Sequence, residues 1–271
     1  MSEKLSATTM THFVDSHCHL DHLDMSGVEG GLASVIESAK AQGVGRILAM
    51  ATQLDDLPTL VEMARSYDIV EIAAGNHPLK ALPYEPELDE ILEVIERFDP
   101  VAIGEIGLDF LDEKPAVPVD IQLKRFENFL KASSETGLPV SVHTRGAREA
   151  TLDAIKQYSR PEVGGVLHCF TDELDFAREA IRLGFYISMS GIVTFKNARN
   201  VHELARQIPL DRLLIETDSP WLAPVPYRGK ANFPGYVGKV AEAIADIRGI
   251  SLDEVQLQTT ANFYRLFSNI R

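Results

Sequence analysis

The chain has 271 residues and an ordinary globular composition, with 45% hydrophobic and 24% charged residues. This length allows a full hydrophobic core without disulfides or a structural metal. The formal net charge of −14 at pH 7 argues against a protein that grips duplex DNA through a broad basic surface. It leaves open an enzyme that binds phosphates in one small pocket with bound cations.

The sequence predicts a cytoplasmic protein. The chain has no run of about 18 apolar residues, which a transmembrane helix requires, and the N-terminal MSEKLSATTMTHF lacks the apolar region of a signal peptide. The two cysteines, Cys18 and Cys169, fit a reducing compartment. We expect no membrane partner, and no feature of the sequence indicates an obligate protein partner. Residues 1–10 are expected to form a flexible N-terminal extension.

Short apolar runs alternate along the chain with amphipathic stretches of helical length. The apolar runs are near-continuous, as in parallel strands that are covered on both faces. The predicted strands are HFVDSH (12–17), GRILAM (45–50), IVEIAAG (69–75), VAIGEIG (101–107), PVSVH (139–143), VGGVLH (163–168), FYISMS (185–190) and RLLIET (212–217). The predicted helices are 30–43, 54–67, 87–98, 121–137, 148–158, 173–184 and 201–208.

This alternation predicts an α/β fold, a (β/α)₈ TIM barrel that forms one domain over residues 1–271. An open doubly wound sheet is the alternative. It is less favoured because no G-x-G-x-x-G fingerprint follows the first strand. In a barrel, the carboxyl ends of all the strands meet at one rim, where functional residues are found.

Residues that bind metals end several of the predicted strands. His17 and His19 lie two positions apart, so they face the same side of the first strand. Other strands end in a histidine or a carboxylate, namely Glu105, His143, His168 and Asp218. Four histidines and two carboxylates are enough to hold two metal ions that share a bridging carboxylate. The sequence therefore predicts a metal site at the C-terminal rim.

Several motifs also occur in a particular order along the chain. They are FVDSHCHLD, GNHP, IGEIGLDF, LPVSVHTR, LHCFT, LLIETDSPWLAP, RGKANFP and TTANFYRLF. With these motifs, the chain resembles the TatD family of metal-dependent deoxyribonucleases, within the amidohydrolase-like barrels. The resemblance runs from near the start of the chain to its end.

The resemblance implies a binuclear divalent-metal site and a DNA substrate, cut from an end as a 3′–5′ exodeoxyribonuclease. The implied ligands are His17, His19 and Asp218 for one ion and His143 with His168 for the other, bridged by Glu105. Glu105 and Asp218 are the expected catalytic residues, with Asp218 accepting the proton of the attacking water. Zinc, manganese, magnesium, iron or cobalt would suit such a mixed nitrogen and oxygen site.

Four further residues are predicted to contact DNA ends or oligonucleotides. His77 ends the third strand at the same rim, in the motif GNHP. Arg145, Arg228 and Lys230 lie on rim segments, where their positive charges could bind flanking phosphates.

The chain departs from the family pattern in two rim loops. Phe233 stands in RGKANFP, where the family usually has a glutamate before the proline. The segment LDEKPAVPVD follows GLDF, where relatives often have a further aromatic residue and an arginine. Both departures bear on substrate preference more than on the metal site.

Two other functions remain open from the sequence. A hydrolase of C–N or lactone bonds could use the same barrel, although related enzymes often bridge their metals with a carboxylated lysine, and the fourth strand offers Glu105 instead. The other is a metal-stabilised scaffold or binding protein without catalysis. In that case, ligand substitutions would reduce stability and no activity would be lost.

Overall fold

Eight parallel strands follow one another around a single sheet in the computed structural model, which describes residues 12–270. Each strand pairs with the next in the order β1 to β8. The strands are β1 Phe13–Cys18, β2 Val44–Met50, β3 Val70–Ala74, β4 Ala102–Asp109, β5 Val140–Arg145, β6 Gly165–Leu167, β7 Phe185–Met189 and β8 Leu213–Ile215. The predicted TIM barrel is confirmed. The predicted extension at residues 1–10 lies outside the described residues.

Helices pack around this barrel and across one of its ends. They are α1 Gly31–Ala41, α2 Leu57–Ser66, α3 Leu88–Phe98, α4 Val119–Thr136, α5 Arg148–Tyr158, α6 Leu174–Arg182, α7 Arg199–Gln207, α8 Val237–Arg248 and α9 Leu252–Leu266. The first seven lie at the predicted positions. Within residues 12–270, no helix is both long enough and apolar enough to cross a bilayer.

The sequence analysis did not predict the last two helices, α8 and α9. The signal was present in α8, because Val237, Val240, Ala241 and Ile244 are all buried and follow the i, i+3, i+4, i+7 spacing of one helical face. The last strand, β8, is thus followed by two helices, α8 and α9.

Backbone hydrogen bonds join the first strand to the segment after the last one. The Asp218 N–H donates to the His17 carbonyl oxygen at 2.9 Å, and the His19 N–H donates to the Ser219 carbonyl oxygen at 2.8 Å. These two bonds bring the ends of β1 and β8 together. His17 and His19 consequently lie beside Asp218 at the rim.

The N-terminal end of the barrel is closed by α9. The Thr260 hydroxyl donates to the carbonyl oxygen of His12, just ahead of β1, at 2.8 Å. Phe263 and Phe267 are fully buried, with ring centroids 4.8 Å apart. They pack against a row of strand residues, namely Val14, Leu48, Met50, Ala73, Ala102, Val166, Tyr186 and Leu214. With this end plugged, the opposite rim is the open mouth of the barrel.

Replacing Phe263 with alanine is expected to lower the free energy of unfolding by about 3–5 kcal/mol, because the change leaves a cavity in the plug. Chemical denaturation, monitored by circular dichroism, measures this change in the free energy of unfolding. Leu257→Ala on the same helix is the matched control, since Leu257 is exposed and should change stability by about 0.5 kcal/mol or less. Equal losses for the two variants would mean that α9 does not close the barrel.

Candidate metal centre

Glu105 lies at the centre of a buried cluster at the C-terminal rim. Its Oε1 atom lies 2.8 Å from His168 Nε2 and 3.2 Å from His143 Nδ1. Its Oε2 atom lies 3.3 Å from His19 Nε2 and 3.5 Å from His17 Nε2. The two carboxylate oxygens of Glu105 therefore face two different pairs of histidines.

Asp218 lies next to the pair formed by His17 and His19. Its Oδ1 atom lies 3.7 Å from His19 Nε2 and 3.9 Å from His17 Nε2. His168 is also close, since one ligand atom each from His17, His168 and Asp218 lie within 4.8 Å of one another. All six predicted metal ligands thus converge on one place.

Gly107 allows β4 and β5 to approach closely beside this cluster. Its φ angle is 139°, and a Cβ atom at this position would lie 1.9 Å from the His143 carbonyl oxygen. A side chain would therefore push the two strands apart. With glycine there, the carboxylates of Glu105 and Asp109 on β4 both reach the imidazole of His143 on β5.

Two carboxylates outside the cluster fix which nitrogen of each imidazole faces it. His168 Nδ1 lies 3.4 Å from the Oε1 atom of the buried Glu216, and His143 Nε2 lies 2.9 Å from Asp109 Oδ2. An ionised carboxylate only accepts hydrogen bonds, so these two nitrogens carry hydrogen. The opposite nitrogens, His168 Nε2 and His143 Nδ1, then direct lone pairs at Glu105 in the neutral imidazoles, as metal ligands do.

This donor set fits a metal ion. A lone pair on a neutral imidazole and a carboxylate oxygen repel each other at hydrogen-bond distance unless a proton or a cation lies between them. The same holds for His17 Nε2 and His19 Nε2, which are 3.2 Å apart. Imidazole nitrogens with carboxylate oxygens are ligands for zinc, iron, manganese and cobalt. The residues present can therefore hold divalent cations.

The pKa values in the cluster reflect its burial and its opposite charges. Burial alone would raise the pKa of Glu105, but the neighbouring His77 and His168 outweigh burial and hold it well below its usual range. Burial would lower the pKa of His168, yet the carboxylates of Glu105 and Glu216 raise it well above normal. Burial raises the pKa of Asp218 to about 7. The ionised form of Glu105 is thus favoured despite its burial.

His77 differs from the other histidines of the cluster. Its Nδ1 atom accepts a hydrogen bond from the Leu79 N–H at 3.1 Å, so in the neutral ring Nε2 carries the hydrogen. That Nε2 atom lies 3.5 Å from Glu105 Oε1. A nitrogen that carries hydrogen donates and does not ligate a metal. This geometry favours the predicted contact with substrate over a ligand role.

A cavity of about 830 Å³ opens above the cluster at the rim. Arg145 and His77, which the sequence predicts to bind substrate, line this cavity. Lys80 lines it as well, and the sequence analysis did not predict it. Arg228 and Lys230 lie outside the lining, and the Arg228 guanidinium stacks over the Phe195 ring at 4.4 Å. Phosphate binding by Arg228 and Lys230 stays a prediction.

Phe233 also lies outside the lining of the cavity. Its side chain is partly buried and packs against the hydrophobic core, with its ring centroid 6.0 Å from that of Tyr236. Phe233 thus faces the protein interior, where a glutamate would be poorly accommodated.

Glu216 and Asp109 are functional candidates that the sequence analysis missed. Asp109 follows Glu105 by four positions on β4 and shares its face, which the sequence alone could have indicated. Glu216 precedes Asp218 by two positions in the motif IETD, but its contact with His168 joins residues 48 positions apart.

Replacing Glu216 with glutamine is expected to weaken metal binding about 10- to 100-fold, because the imidazole of His168 loses the charged partner that orients it. Calorimetric titration of metal-stripped protein with zinc measures this change without any assay of activity. Glu203→Gln serves as the control, since Glu203 is a half-exposed carboxylate on α7. Unchanged zinc affinity in the Glu216 variant would contradict a role for Glu216 in orienting His168.

A TIM barrel with histidines and carboxylates gathered at its C-terminal rim is an architecture of metal-dependent hydrolases. The comparison with known families agrees. The family model described as TatD related DNase matches residues 14–268, and the chain belongs to this family of metal-dependent hydrolases.

Relatives match the chain over nearly its whole length. The uncharacterized metal-dependent hydrolase YcfH of Escherichia coli is 43% identical over 94% of this chain and 95% of its own length. The uncharacterized metal-dependent hydrolase YabD of Bacillus subtilis is 41% identical over 93% of this chain and 98% of its own. The crystal structure of YjjV, a TatD homolog from Escherichia coli, covers 96% of this chain and 99% of its own with a TM-score of 0.86 and 29% identity.

Proposed function

We propose that this protein hydrolyses phosphodiester bonds of DNA with two divalent metal ions and removes nucleotides from the 3′ end. The observation that carries the proposal is the position of the Glu105 carboxylate. One of its oxygens faces His143 and His168, and the other faces His17 and His19. A bridging carboxylate between two metal ions has this arrangement.

In this proposal each ion has its own ligands. His17, His19 and Asp218 would hold the first ion, His143 and His168 would hold the second, and Glu105 would contact both. Glu216 and Asp109 orient His168 and His143 from outside. When bound, divalent cations supply Lewis acidity, which polarises the phosphodiester and lowers the pKa of the attacking water.

The chain's own residues would perform the remaining steps. Asp218 accepts the proton of the water and returns it to the leaving oxygen. His77 donates a hydrogen bond from Nε2 to a non-bridging phosphate oxygen, whose negative charge increases in the transition state. Arg145 and Lys80, on the cavity wall, bind neighbouring phosphates.

A DNA end suits this site better than a long duplex. The two basic side chains of the cavity, Lys80 and Arg145, lie within a chain whose formal net charge is −14. These two side chains provide a local attraction for phosphates at the mouth of the barrel. A strand end can enter a cavity of about 830 Å³, whereas a grip on a long duplex would need a broad basic surface, which a net charge of −14 argues against.

Single-stranded DNA labelled at either end tests the proposal. Metal-stripped protein is incubated with each substrate after magnesium, manganese or zinc is added back. We expect metal-dependent cleavage that releases the 3′ label at once as a mononucleotide, while the 5′ label passes through progressively shorter fragments.

Two results would contradict the proposal. Immediate release of the 5′ label would reverse the polarity and keep the nuclease activity. A folded protein that binds metal and cleaves no DNA would favour the hydrolysis of C–N or lactone bonds instead.

A further inference from the structure

One wall of the cavity above the metal centre is apolar. It is formed by Ile192, from the segment after β7, and by Trp221 and Leu222, from the segment after β8. Trp221 is 48% exposed, although a tryptophan is usually mostly buried. An exposed aromatic ring on the wall of a binding cavity is a contact surface for a flat ligand.

Trp221 is held in place by its surroundings. Its backbone N–H donates to the Asp218 carbonyl oxygen at 2.9 Å, and its carbonyl oxygen accepts from Asn232 Nδ2 at 2.6 Å. Its ring is in edge-on contact with His19 at 5.1 Å and with His22 at 5.8 Å. A ring fixed in this way loses little freedom when a ligand stacks on it.

The basic side chains come from another part of the rim. Lys80 follows β3 and Arg145 ends β5, so they flank β4. In an eight-stranded barrel with the strand order β1 to β8, β4 lies across the mouth from β8. The cavity thus has an apolar aromatic side and a basic side, with the metal centre between them.

We propose that Trp221 is a binding site for a nucleobase and stacks with the base of the 3′-terminal nucleotide. This inference rests on the proposed function. The base and the phosphate of one nucleotide are joined by a single sugar, so a base on Trp221 would lie next to a phosphodiester held at His19 and Asp218. The upstream backbone would then run towards Lys80 and Arg145.

Base stacking on an aromatic side chain strengthens binding by about 5- to 150-fold, as judged from the affinity that is lost on alanine substitution. It is tolerant of sequence, because every base has a flat face. The site would therefore select an unstacked terminal base without selecting its identity.

The first test uses fluorescence, since Trp221 is the single tryptophan of the chain. Metal-loaded wild-type protein is titrated with two phosphorothioate-linked dinucleotides, which resist hydrolysis. One carries a base on its 3′ residue, and the other carries a tetrahydrofuran abasic residue there. We expect the first to quench the tryptophan emission with a saturating curve and the second to bind about 5- to 150-fold more weakly.

The second test uses kinetics on oligonucleotides with the same two 3′ ends. Wild-type protein should have a lower KM for the oligonucleotide whose 3′ residue carries a base than for the oligonucleotide with the abasic 3′ residue. Trp221→Ala should lose this difference, and Trp221→Phe should restore most of it. Tyr84→Ala is the matched control, because Tyr84 is an exposed aromatic residue outside the cavity lining, and it should keep the wild-type preference.

Equal quenching by both dinucleotides, or a base preference retained by Trp221→Ala, would overturn the stacking site and leave the nuclease activity intact. If no oligonucleotide is cleaved, the proposed function fails. The quenching difference then still decides whether Trp221 binds a base.

Discussion

Replacing Glu105 with alanine is expected to lower the metal-dependent turnover of DNA by about 10²- to 10⁴-fold. The carboxylate faces the four proposed histidine ligands and would bridge the two proposed ions. Metal ions contribute several kcal/mol to the stabilisation of the transition state, and each 1.36 kcal/mol corresponds to a factor of about ten in rate. Hydrolysis of end-labelled DNA measures the loss of turnover. Metal analysis of the dialysed variant should show fewer than two ions per chain.

Glu71→Ala is the matched control for this variant. Glu71 is a partly buried glutamate on the neighbouring strand β3 and pairs with Arg46 at 3.1 Å. It lies near the start of β3 and outside the cavity lining, so its variant should bind two ions and cleave DNA at the wild-type rate. A Glu105 variant that retains both ions and full turnover would exclude a bridging role.

The sequence predicted the barrel and the gathering of six candidate ligands because both depend on local features. Apolar runs of strand length give the strands, and the position of a residue near the end of its run gives its place at the rim. The predicted fourth strand was wrong in one respect, because Glu105 does not end it but lies four residues before the end of β4. The H-x-H spacing alone predicts that His17, in β1, and His19, just after it, face the same side. Such features are visible without any knowledge of distant contacts.

The orientation of the imidazoles could not be predicted in this way. The partner of His168 is 48 positions away and the partner of His143 is 34 positions away. The hydrogen bonds of Asp15 were equally unpredictable. This fully buried carboxylate accepts hydrogen bonds from the N–H and the hydroxyl of Thr217, which is 202 positions away in the sequence. These contacts exist only once the barrel has formed.

The basic side chains that line the barrel mouth could not be predicted either, because their positions depend on the paths of loops. Arg228 lies on a rim segment by sequence, but its side chain stacks on Phe195 away from the cavity. Lys80 follows GNHP by two positions and carried no motif of its own, yet it lines the cavity. The side on which a long side chain leaves a loop is decided by packing against other loops, so residue type and approximate position were not sufficient.

Replacing Asp218 with asparagine is expected to lower kcat by about 10²- to 10⁴-fold at saturating metal, the range for loss of a general base. Asparagine keeps the shape of the side chain at a position where φ is 56°, a conformation that asparagine tolerates. It removes the negative charge and the ability to accept a proton. Single-turnover hydrolysis of end-labelled DNA, with metal binding measured separately, checks the result.

Asp172→Asn is the control that separates the role of Asp218 from the general charge of the rim. Asp172 is a partly exposed carboxylate after β6, and its Oδ1 atom accepts only a local hydrogen bond from the Glu173 N–H. Loss of its charge should leave kcat unchanged. If Asp218→Asn instead loses one ion and recovers its turnover at high metal concentration, then Asp218 acts as a ligand only. The proton of the attacking water must then pass to a group other than Asp218, and not to His77, whose Nδ1 accepts a backbone hydrogen bond and whose Nε2 carries the hydrogen.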